Sequence, residues 1–338
     1  MLLKKIIKLI IPNFLLKQSA KLYNQFLSYK HSNFKKFQKI NTSNEFSNKW
    51  NVIADKKNLG KADNYTERFR EIISDPINLL IDRVPEAGYL NKNMEVTLHN
   101  GNLVSIDDKL AYYGIFSDIL VINRGVHEPL EEFCFQELIR LTSNNTNNLT
   151  MIELGSYWGH YSMWFKKKLP SSRCILIEPE KINLEIGKKN FDINNLKAEF
   201  INEFVSSKNF TVDKFLDESS LESIYLLHSD IQGYELEMLQ NSKIAMSKGK
   251  INYLMISTHG SEKHRECINE INKYDYTIEI NSDPDHHSTS HDGLLFIRKN
   301  SCKPIINITQ ILGRIDIAKS SSKKLIEYLT NIQNLREK

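Results

Sequence analysis

The chain has 338 residues, which is enough for one large hydrophobic core or two modest ones. Its formal net charge of +4 is too small to indicate nucleic-acid binding over the whole surface, so we expect no nucleic-acid partner. The four cysteines are widely spaced and include no Cys-x-x-Cys pair, which argues against a disulfide framework and predicts a reducing, cytoplasmic compartment. No apolar run reaches the length of a transmembrane helix.

Residues 1–50 are predicted to form a basic amphipathic helical arm. Residues 1–40 contain nine lysines and no acidic residue, and Leu3, Ile6 and Ile10 recur at helical spacing with lysines beside them. Such a helix can lie on an anionic membrane surface, here the inner face of the membrane. It can equally dock on the rest of the chain or contact another copy. The sequence leaves these alternatives and the oligomeric state open.

Residues 51–148 are predicted to hold short helices and a hairpin. Proline ends helical patterns, and Asn-Gly between alternating apolar residues predicts a tight hairpin turn. The predicted elements, in chain order, are two short helices over 66–81 divided at Asp75-Pro76, a hairpin over 94–106 around Asn100-Gly101, and a helix over 130–141.

Three polar residues, Arg124, His127 and Glu128, precede the helix over 130–141 on one predicted loop. Such a group can line a substrate pocket, and we take the three as candidate substrate-binding residues. The same residues can equally cap the helix and pair with one another.

A short apolar strand, a tight turn and a helix follow one another after this region. The strand leads through Glu153 to two glycines, Gly155 and Gly159, which enclose Ser156 and Tyr157 in the turn. Glycines suit a turn where the backbone approaches a ligand, and the free N–H groups of the following helix attract one. A dinucleotide fingerprint needs a further glycine here. S-adenosylmethionine has a sulfonium, a carboxylate and a ribose but no pyrophosphate, so it suits this bulkier turn better.

A second apolar run, Cys174–Ile177, ends in Glu178-Pro179. A carboxylate at the tip of the second strand is placed to accept hydrogen bonds from ribose hydroxyls. Together the two signals predict S-adenosylmethionine as the cofactor and favour it over a nicotinamide dinucleotide in the same crevice. The candidate cofactor-binding residues of these two segments are Glu153, Gly155, Ser156, Tyr157, Gly159, Glu178 and Pro179.

Beyond Glu178 the pattern alternates helix and strand, which is typical of a doubly wound, Rossmann-like α/β sheet. Glu203 lies near the end of the third predicted strand and Asp230 ends the fourth, so both join the cofactor-binding candidates. An antiparallel pair of strands is predicted to close the edge of the sheet. The later predicted strands cover 198–205, 224–230, 252–258, 276–280 and 293–298, and the predicted helices cover 182–194, 211–218, 234–243 and 267–274.

The block Asp230-Ile231-Gln232-Gly233-Tyr234-Glu235 follows the fourth strand. With Glu153-Leu154-Gly155, Ile177-Glu178-Pro179 and the strand-final His259, it makes residues 149–299 resemble the FkbM family of class I S-adenosylmethionine-dependent methyltransferases. The resemblance implies a class I methyltransferase sheet with an antiparallel edge. It also implies an O-methyltransferase, because members mostly act on sugars, polysaccharides and polyketide-type natural products.

Methyl transfer needs positioning of the reactants and removal of a proton from the acceptor hydroxyl. Asp230 and His259 end neighbouring strands and are therefore the candidate base and its orienting partner. The alternatives are a structural role for His259 and a cofactor contact for Asp230. Glu235 either compensates the helix dipole or reaches the acceptor, and we include it among the candidate substrate-binding residues.

The polar loop over 283–292 joins the last two predicted strands and is interpreted as a lid over the acceptor. Its His287 and His291 are candidate substrate-binding residues. Its carboxylates and imidazoles invite a metal hypothesis, but no fixed ligand spacing is recognisable, so we expect no metal.

The sequence therefore predicts a methyltransferase domain over 149–300, a region over 51–148 that shapes the acceptor pocket, and a helical tail over 301–338. The expected reaction is O-methylation of a sugar or glycan hydroxyl in surface-polysaccharide or natural-product biosynthesis, on a small-molecule or glycan acceptor. The alternatives are an NAD(P)-dependent oxidoreductase and a non-catalytic module docked on a membrane.

Overall fold

The computed structural model describes residues 65–106, 117–142, 148–285, 287–289, 292–306 and 311–336. The predicted N-terminal arm and His291 lie outside these ranges. Within them, no helix combines the length and the apolar character needed to cross a membrane.

Strands and helices alternate through most of the described chain. The strands are β1 (Glu95–Thr97), β2 (Leu103–Ser105), β3 (Thr150–Leu154), β4 (Arg173–Ile177), β5 (Glu199–Ile201), β6 (Ile224–Ser229), β7 (Ile251–Thr258), β8 (Tyr276–Ser282) and β9 (Gly293–Lys299). The α-helices are α1 (Tyr65–Ser74), α2 (Asp118–Ile122), α3 (Pro129–Thr142), α4 (His160–Lys168), α5 (Lys181–Ile193), α6 (Val212–Glu218), α7 (Glu235–Gln240), α8 (Lys243–Ser247), α9 (Ser261–Ile271), α10 (Arg314–Lys319) and α11 (Ser322–Leu335).

The strands β3 to β9 form one sheet in the order β5-β4-β3-β6-β7-β9-β8. The pairs from β5 to β7 are parallel, and β9 pairs antiparallel with both β7 and β8. The strand order reverses between β3 and β6, so the carboxyl ends of β3, β4 and β6 open a crevice at that point. The predicted doubly wound sheet with an antiparallel edge is confirmed.

The central strands are buried on both faces because helices cover each side of the sheet. Successive side chains of a strand point to opposite faces, so Met151 and Leu176 join one core while Ile152 and Ile175 join the other. The hairpin β1–β2, helices α1 to α5 and helix α11 cover the first face. Helices α6 to α9 cover the second. Each fully buried Leu or Ile contributes about 1.5–3 kcal/mol to this arrangement.

The helices and the hairpin that precede the sheet form where the local sequence patterns predict them. A helix and a 3₁₀ helix (Pro76–Leu80) meet at Asp75, whose carboxylate accepts the N–H of Ile77 at 2.9 Å. Strands β1 and β2 pair antiparallel around Gly101, whose φ of 83° suits a glycine in the turn. The predicted helix division and hairpin are both present.

The third strand of the sheet is shorter than predicted. β5 ends at Ile201, whereas the prediction extended it over 198–205, so Glu203 lies on the exposed connection beyond it. The reason is Asn202, whose side-chain amide donates to both carbonyl oxygens of the Glu178-Pro179 segment at 2.8 Å. These side-chain bonds take the place of further ladder bonds to β4.

Two helices also differ from the prediction. α9 begins at Ser261, six residues before the predicted start at Cys267, because the polar residues between its buried positions hid the helical period. The helix predicted over 234–243 is divided into α7 and α8. The carboxylate of Asp213 accepts the N–H groups of Ile244 and Ala245 and thereby starts a new helix.

Candidate active site

A cavity of about 410 Å³ opens at the carboxyl ends of β3, β4 and β6, where the strand order reverses. This volume lies in the range of small-molecule sites, about 300–1,000 Å³. The lining combines aromatic and aliphatic side chains with carboxylates. Such a lining suits a nucleoside that carries a charged arm.

The turn after β3 contributes Gly155 to this cavity. Its φ is 70°, and a β-carbon at this position would lie 1.8 Å from the carbonyl oxygen of Asp230. The N–H groups of Gly155 and Ser156 donate to the carbonyl of Ile177 at 2.9 and 3.0 Å, and the N–H of Asp230 donates to that of Leu154 at 2.9 Å. Only glycine therefore permits the tips of β3 and β6 to approach this closely.

Glu178 lines the cavity at the tip of β4, and only 4% of its surface is exposed. One carboxylate oxygen accepts the N–H of Tyr157 at 2.9 Å, and the other accepts the N–H of Glu180 at 3.0 Å. The side-chain amide of Asn183 donates a third, longer hydrogen bond at 3.4 Å. Burial raises the pKa of this carboxyl, although the three hydrogen bonds act in the opposite direction. A carboxylate has about four acceptor positions, so a fixed carboxylate with acceptor capacity for ribose hydroxyls remains at the cavity edge.

Two aromatic side chains stand at the rim of the cavity. Phe204 and Tyr234 pack edge to face with 4.7 Å between ring centroids, and they are 38% and 42% exposed. Exposed aromatic faces next to a ribose-type carboxylate suit stacking against a purine. The chemistry of the lining thus fits S-adenosylmethionine, with Glu178 for the ribose and the aromatic pair for the adenine.

Three carboxylates surround the imidazole of His259 beyond the tips of β6 and β7. Its Nδ1 lies 2.8 Å from Oε1 of Glu235, which also accepts the N–H of Gly233 at 2.9 Å. Its Nε2 lies 3.3 Å from Oδ1 of both Asp230 and Asp292. Burial disfavours the charged ring, but the carboxylates outweigh it and raise the pKa of His259 to about 11. This acceptor-side cluster adjoins the cavity, because Asp230 belongs to both.

Comparison with known protein families agrees with this geometry. Residues 128–278 match the family model described as the methyltransferase FkbM domain. This stretch, a little under half of the chain, is therefore similar to an FkbM methyltransferase domain. The match supports methyl transfer with S-adenosylmethionine as the cofactor, and it favours this methyl donor over the nicotinamide alternative.

Several solved structures are similar to this chain, at low sequence identity. The methyltransferase domain of METTL16 is 13% identical, with 52% of this chain and 69% of that one covered and a TM-score of 0.40. WbdD in complex with a kinase inhibitor is 14% identical, with 51% and 40% covered and a TM-score of 0.38. TrmK of M. capricolum with S-adenosylhomocysteine is 15% identical, with 57% and 81% covered and a TM-score of 0.34. This chain thus covers less than half of WbdD. A search of the curated proteins found no match.

The predicted cofactor-binding residues fall into two groups. Ser156 and Gly159 form the turn itself, because the carbonyl of Ser156 accepts the N–H of Gly159. Neither residue lines the cavity. Glu203 is exposed and does not line the cavity either. The predicted residues that do line it are Gly155, Tyr157, Glu178, Pro179 and Asp230.

Glu153 lies beneath the turn, 2% exposed. One of its carboxylate oxygens accepts the N–H of Ser162 at 3.0 Å, and the other lies 3.7 Å from Nδ1 of His228. Burial raises the pKa of Glu153 to about 7. The residue holds the start of α4 against the sheet and does not line the cavity.

The loop before α3 places its three candidates differently from one another. Arg124 is exposed, whereas His127 and Glu128 are 4% and 7% exposed. Nδ1 of His127 bonds to a carboxylate oxygen of Glu132, and Nε2 lies 3.4 Å from Glu128. Burial disfavours the charge on His127, but the two glutamates raise its pKa to about 10. The pairing of His127 and Glu128 corresponds to the second alternative for these two residues. None of the three candidates lines the cavity.

Glu132 of α3 was not predicted from the sequence. Its side chain has no exposed surface and lies close to three histidine side chains. Its Oε2 lies 2.9 Å from Nε2 of His99, and its Oε1 lies 3.6 Å from Nε2 of His160. Burial opposes its charge, but the imidazoles of His99 and His127 hold its pKa well below the ordinary value. A glutamate in a first helical turn is expected to face solvent, so nothing local in the sequence distinguishes this one.

Further residues of the cavity lining were also missed. They lie two to six positions after the ends of β4, β5 and β6, and such positions mark the tips of parallel strands. His287, by contrast, is exposed and does not line the cavity; its N–H donates to the carbonyl of Asp283 at 2.9 Å. The missed lining residues are Glu180, Asn183, Phe204, Val205, Ile231, Gln232 and Tyr234.

Proposed function

We propose that this methyltransferase transfers the methyl group of S-adenosylmethionine to a hydroxyl of a sugar or glycan intermediate. The observation that carries the proposal is the cluster of Asp230, Glu235, His259 and Asp292 beside the cofactor cavity. Carboxylates hydrogen-bond readily to hydroxyl groups, and they accept the proton that a hydroxyl loses on methylation. The resemblance to FkbM methyltransferases supports a sugar as the acceptor.

The cofactor supplies an electrophilic methyl group on a sulfonium when it is bound. Glu178 holds the ribose end, and Asp230 borders both the cofactor cavity and the acceptor side. A hydroxyl oxygen held at the cluster would lie beside the cavity that would hold the methyl donor, and such positioning is the main requirement of a methyl displacement. The oxygen–carbon bond forms as the carbon–sulfur bond breaks, and the electron pair of the latter stays on sulfur.

The proton of the acceptor hydroxyl passes to the carboxylate pair of Asp230 and Asp292 in this proposal. In the cation-free protein, the carboxylates outweigh burial and raise the pKa of His259 to about 11, which favours the protonated ring. The imidazole therefore serves as the orienting partner rather than as the base. Glu235 has no exposed surface and fixes the ring through Nδ1.

The test combines a transfer assay with cofactor titrations on the full-length protein. We expect tritium from methyl-labelled S-adenosylmethionine to appear on an oxygen of a member of a panel of free and nucleotide-linked hexoses. Asp230→Asn and His259→Ala should lower kcat by about 10²-fold or more, because both act on proton removal. Their effect on S-adenosylhomocysteine affinity should be smaller. Label found only on nitrogen or carbon acceptors would refute O-methylation.

The cofactor half of the proposal has its own control. Glu178→Ala should weaken S-adenosylhomocysteine binding by about 1.5–3 kcal/mol in calorimetry, as expected for loss of a charged hydrogen-bonding partner. Glu185→Ala, at an exposed position of α5 where the carboxylate pairs only with Lys188, should leave the affinity unchanged. Equal affinity of wild type and Glu178→Ala would place the cofactor elsewhere.

A further inference from the structure

The acceptor-side cluster has the ligand arrangement of a cation site. Asp230 follows β6, His259 follows β7 and Asp292 precedes β9, so three separate segments converge on one point. One oxygen of each carboxylate and Nε2 of the imidazole all lie within 4.8 Å of one another. Nε2 is 3.3 Å from each of the two oxygens. Ligand atoms bound at about 2.0–2.3 Å from one divalent ion have comparable mutual separations.

The imidazole is oriented for metal binding by a buried partner. Nδ1 of His259 lies 2.8 Å from Glu235, whose side chain has no exposed surface and is itself fixed by the N–H of Gly233. A carboxylate behind the imidazole of this kind sets the tautomer and directs the other ring nitrogen at a metal. That other nitrogen, Nε2, is closed off from solvent and has the oxygens of Asp230 and Asp292 at 3.3 Å as its neighbours.

The charge balance of the cluster also favours a cation. When the ring is neutral, Glu235 selects the tautomer in which the Nε2 lone pair of His259 faces two carboxylate oxygens, and three acceptors pointing at one gap repel each other. A proton on Nε2 relieves this repulsion in the cation-free protein. A divalent ion can take the place of that proton, because it carries more positive charge and binds directly to the oxygens of a partly buried, acidic gap.

We infer that Asp230, His259 and Asp292 bind a divalent cation of the Mn²⁺ or Mg²⁺ type at the edge of the cofactor cavity. Two carboxylates and one imidazole form a mixed oxygen and nitrogen set, which suits Mn²⁺ better than Mg²⁺. Glu235 is a positioning residue, since it acts through His259. The inference departs from the sequence-based expectation of no metal, because Asp292 meets the other ligands only in the folded chain.

The role of the ion follows from its place and rests on the proposed function. Asp230 lines the cofactor cavity, so an ion held by this residue would lie at the edge of the cavity, on the acceptor side. Neighbouring hydroxyls of a sugar can fill two of these positions, which orients the acceptor and makes the bound hydroxyl easier to deprotonate. The substrate class deduced here is therefore a sugar with adjacent hydroxyl groups.

The test is Mn²⁺ binding to the full-length, cofactor-free protein after EDTA treatment and dialysis, measured by electron paramagnetic resonance of free Mn²⁺. We expect one Mn²⁺ per chain in the wild type. Asp292→Asn and His259→Gln should weaken binding at least tenfold, and Glu235→Gln should weaken it about 10–100-fold. Asp285→Asn is the matched control, because this exposed carboxylate of the same loop bonds to Ser261 outside the cluster and should leave binding unchanged.

Two results would overturn the inference: absence of Mn²⁺ binding up to millimolar concentration, or equal binding in wild type, Asp292→Asn and His259→Gln. Unchanged S-adenosylhomocysteine affinity in these variants shows that they are folded. Failure of the metal site and failure of the proposed function are separable. Sugar methylation at full rate in the presence of EDTA would refute the metal alone. Mn²⁺ binding that Asp292→Asn abolishes, without methylation of any hydroxyl acceptor, would refute the function alone.

Discussion

Glu153 shows how one buried carboxyl sets a pH dependence. Burial raises its pKa to about 7 in the folded chain, above the ordinary value near 4.5. The folded state therefore binds this proton more tightly than the unfolded state does. The contribution of the group to the free energy of unfolding is largest below about pH 4.5 and is lost as the pH rises to about 7.

Glu153→Gln should remove this pH dependence, because a glutamine oxygen still accepts the N–H of Ser162. We expect the wild type to lose about 2 kcal/mol relative to Glu153→Gln between pH 5.5 and pH 8, in urea unfolding at both values. The same substitution at the exposed Glu185 should follow the wild type. Parallel pH profiles of wild type and Glu153→Gln would contradict the buried, raised carboxyl.

Single residues were predictable where a local rule places them. Gly155, Glu178 and Asp230 follow apolar runs, and the tips of parallel strands meet at one edge, so their convergence could be deduced before the fold was known. Glu132 and Asp292 could not be placed in the same way. Their partners lie on other elements, and no spacing along the chain records those contacts.

At the scale of elements, the close contact between the ends of β3 and β6 requires a glycine at position 155 of the turn after β3. Gly155→Ala should destabilise the protein by about 2–4 kcal/mol and abolish S-adenosylhomocysteine binding, because its β-carbon would meet the backbone of Asp230 at 1.8 Å. Gly101→Ala is a matched control, with a similar φ of 83° but its nearest neighbour, a side-chain atom, at 3.4 Å.

Gly101→Ala should lose only the cost of a positive φ, about 1–2 kcal/mol, with cofactor affinity kept. Urea unfolding and calorimetry of the two variants separate backbone strain from the close approach. Equal losses in both would mean that the two strand tips can move apart without consequence for the site.

Elements were predicted well where an apolar run had the length of a strand or a clear turn signal. β3, β4, β6 and the final antiparallel pair follow this rule. β5 and α9 do not. The side chain of Asn202 ends β5 through bonds to another segment, and α9 buries only a narrow stripe under a polar surface.

At the scale of the whole molecule, peripheral membrane binding through residues 1–40 of the predicted basic arm (1–50) stays a proposal. Lys4, Lys5 and Lys8 flank its first apolar stripe. Replacing all three by glutamine should weaken binding to vesicles rich in anionic lipids by about 3 kcal/mol, at roughly 1 kcal/mol per lysine. Methyl transfer in solution should be unchanged.

The control for the arm replaces three lysines near the other terminus, and it should leave vesicle binding intact. Flotation with anionic and with neutral vesicles provides the readout. Equal flotation of the arm variant and the wild type would leave the arm without a membrane role. The control lysines are Lys319, Lys323 and Lys324.

The core on the first face of the sheet has a consequence for protein engineering. It runs without interruption from Ile72 in α1 through Phe135 in α3 and Met151 in β3 to Ile332 in α11. One could try to change the acceptor by replacing residues 1–148 with those of another methyltransferase. In such a chimaera, the core side chains from the two proteins would not be complementary, because this core contains residues from both parts of the chain. Successful recombination must therefore exchange α1, α3 and α11 together, or confine itself to the exposed loops.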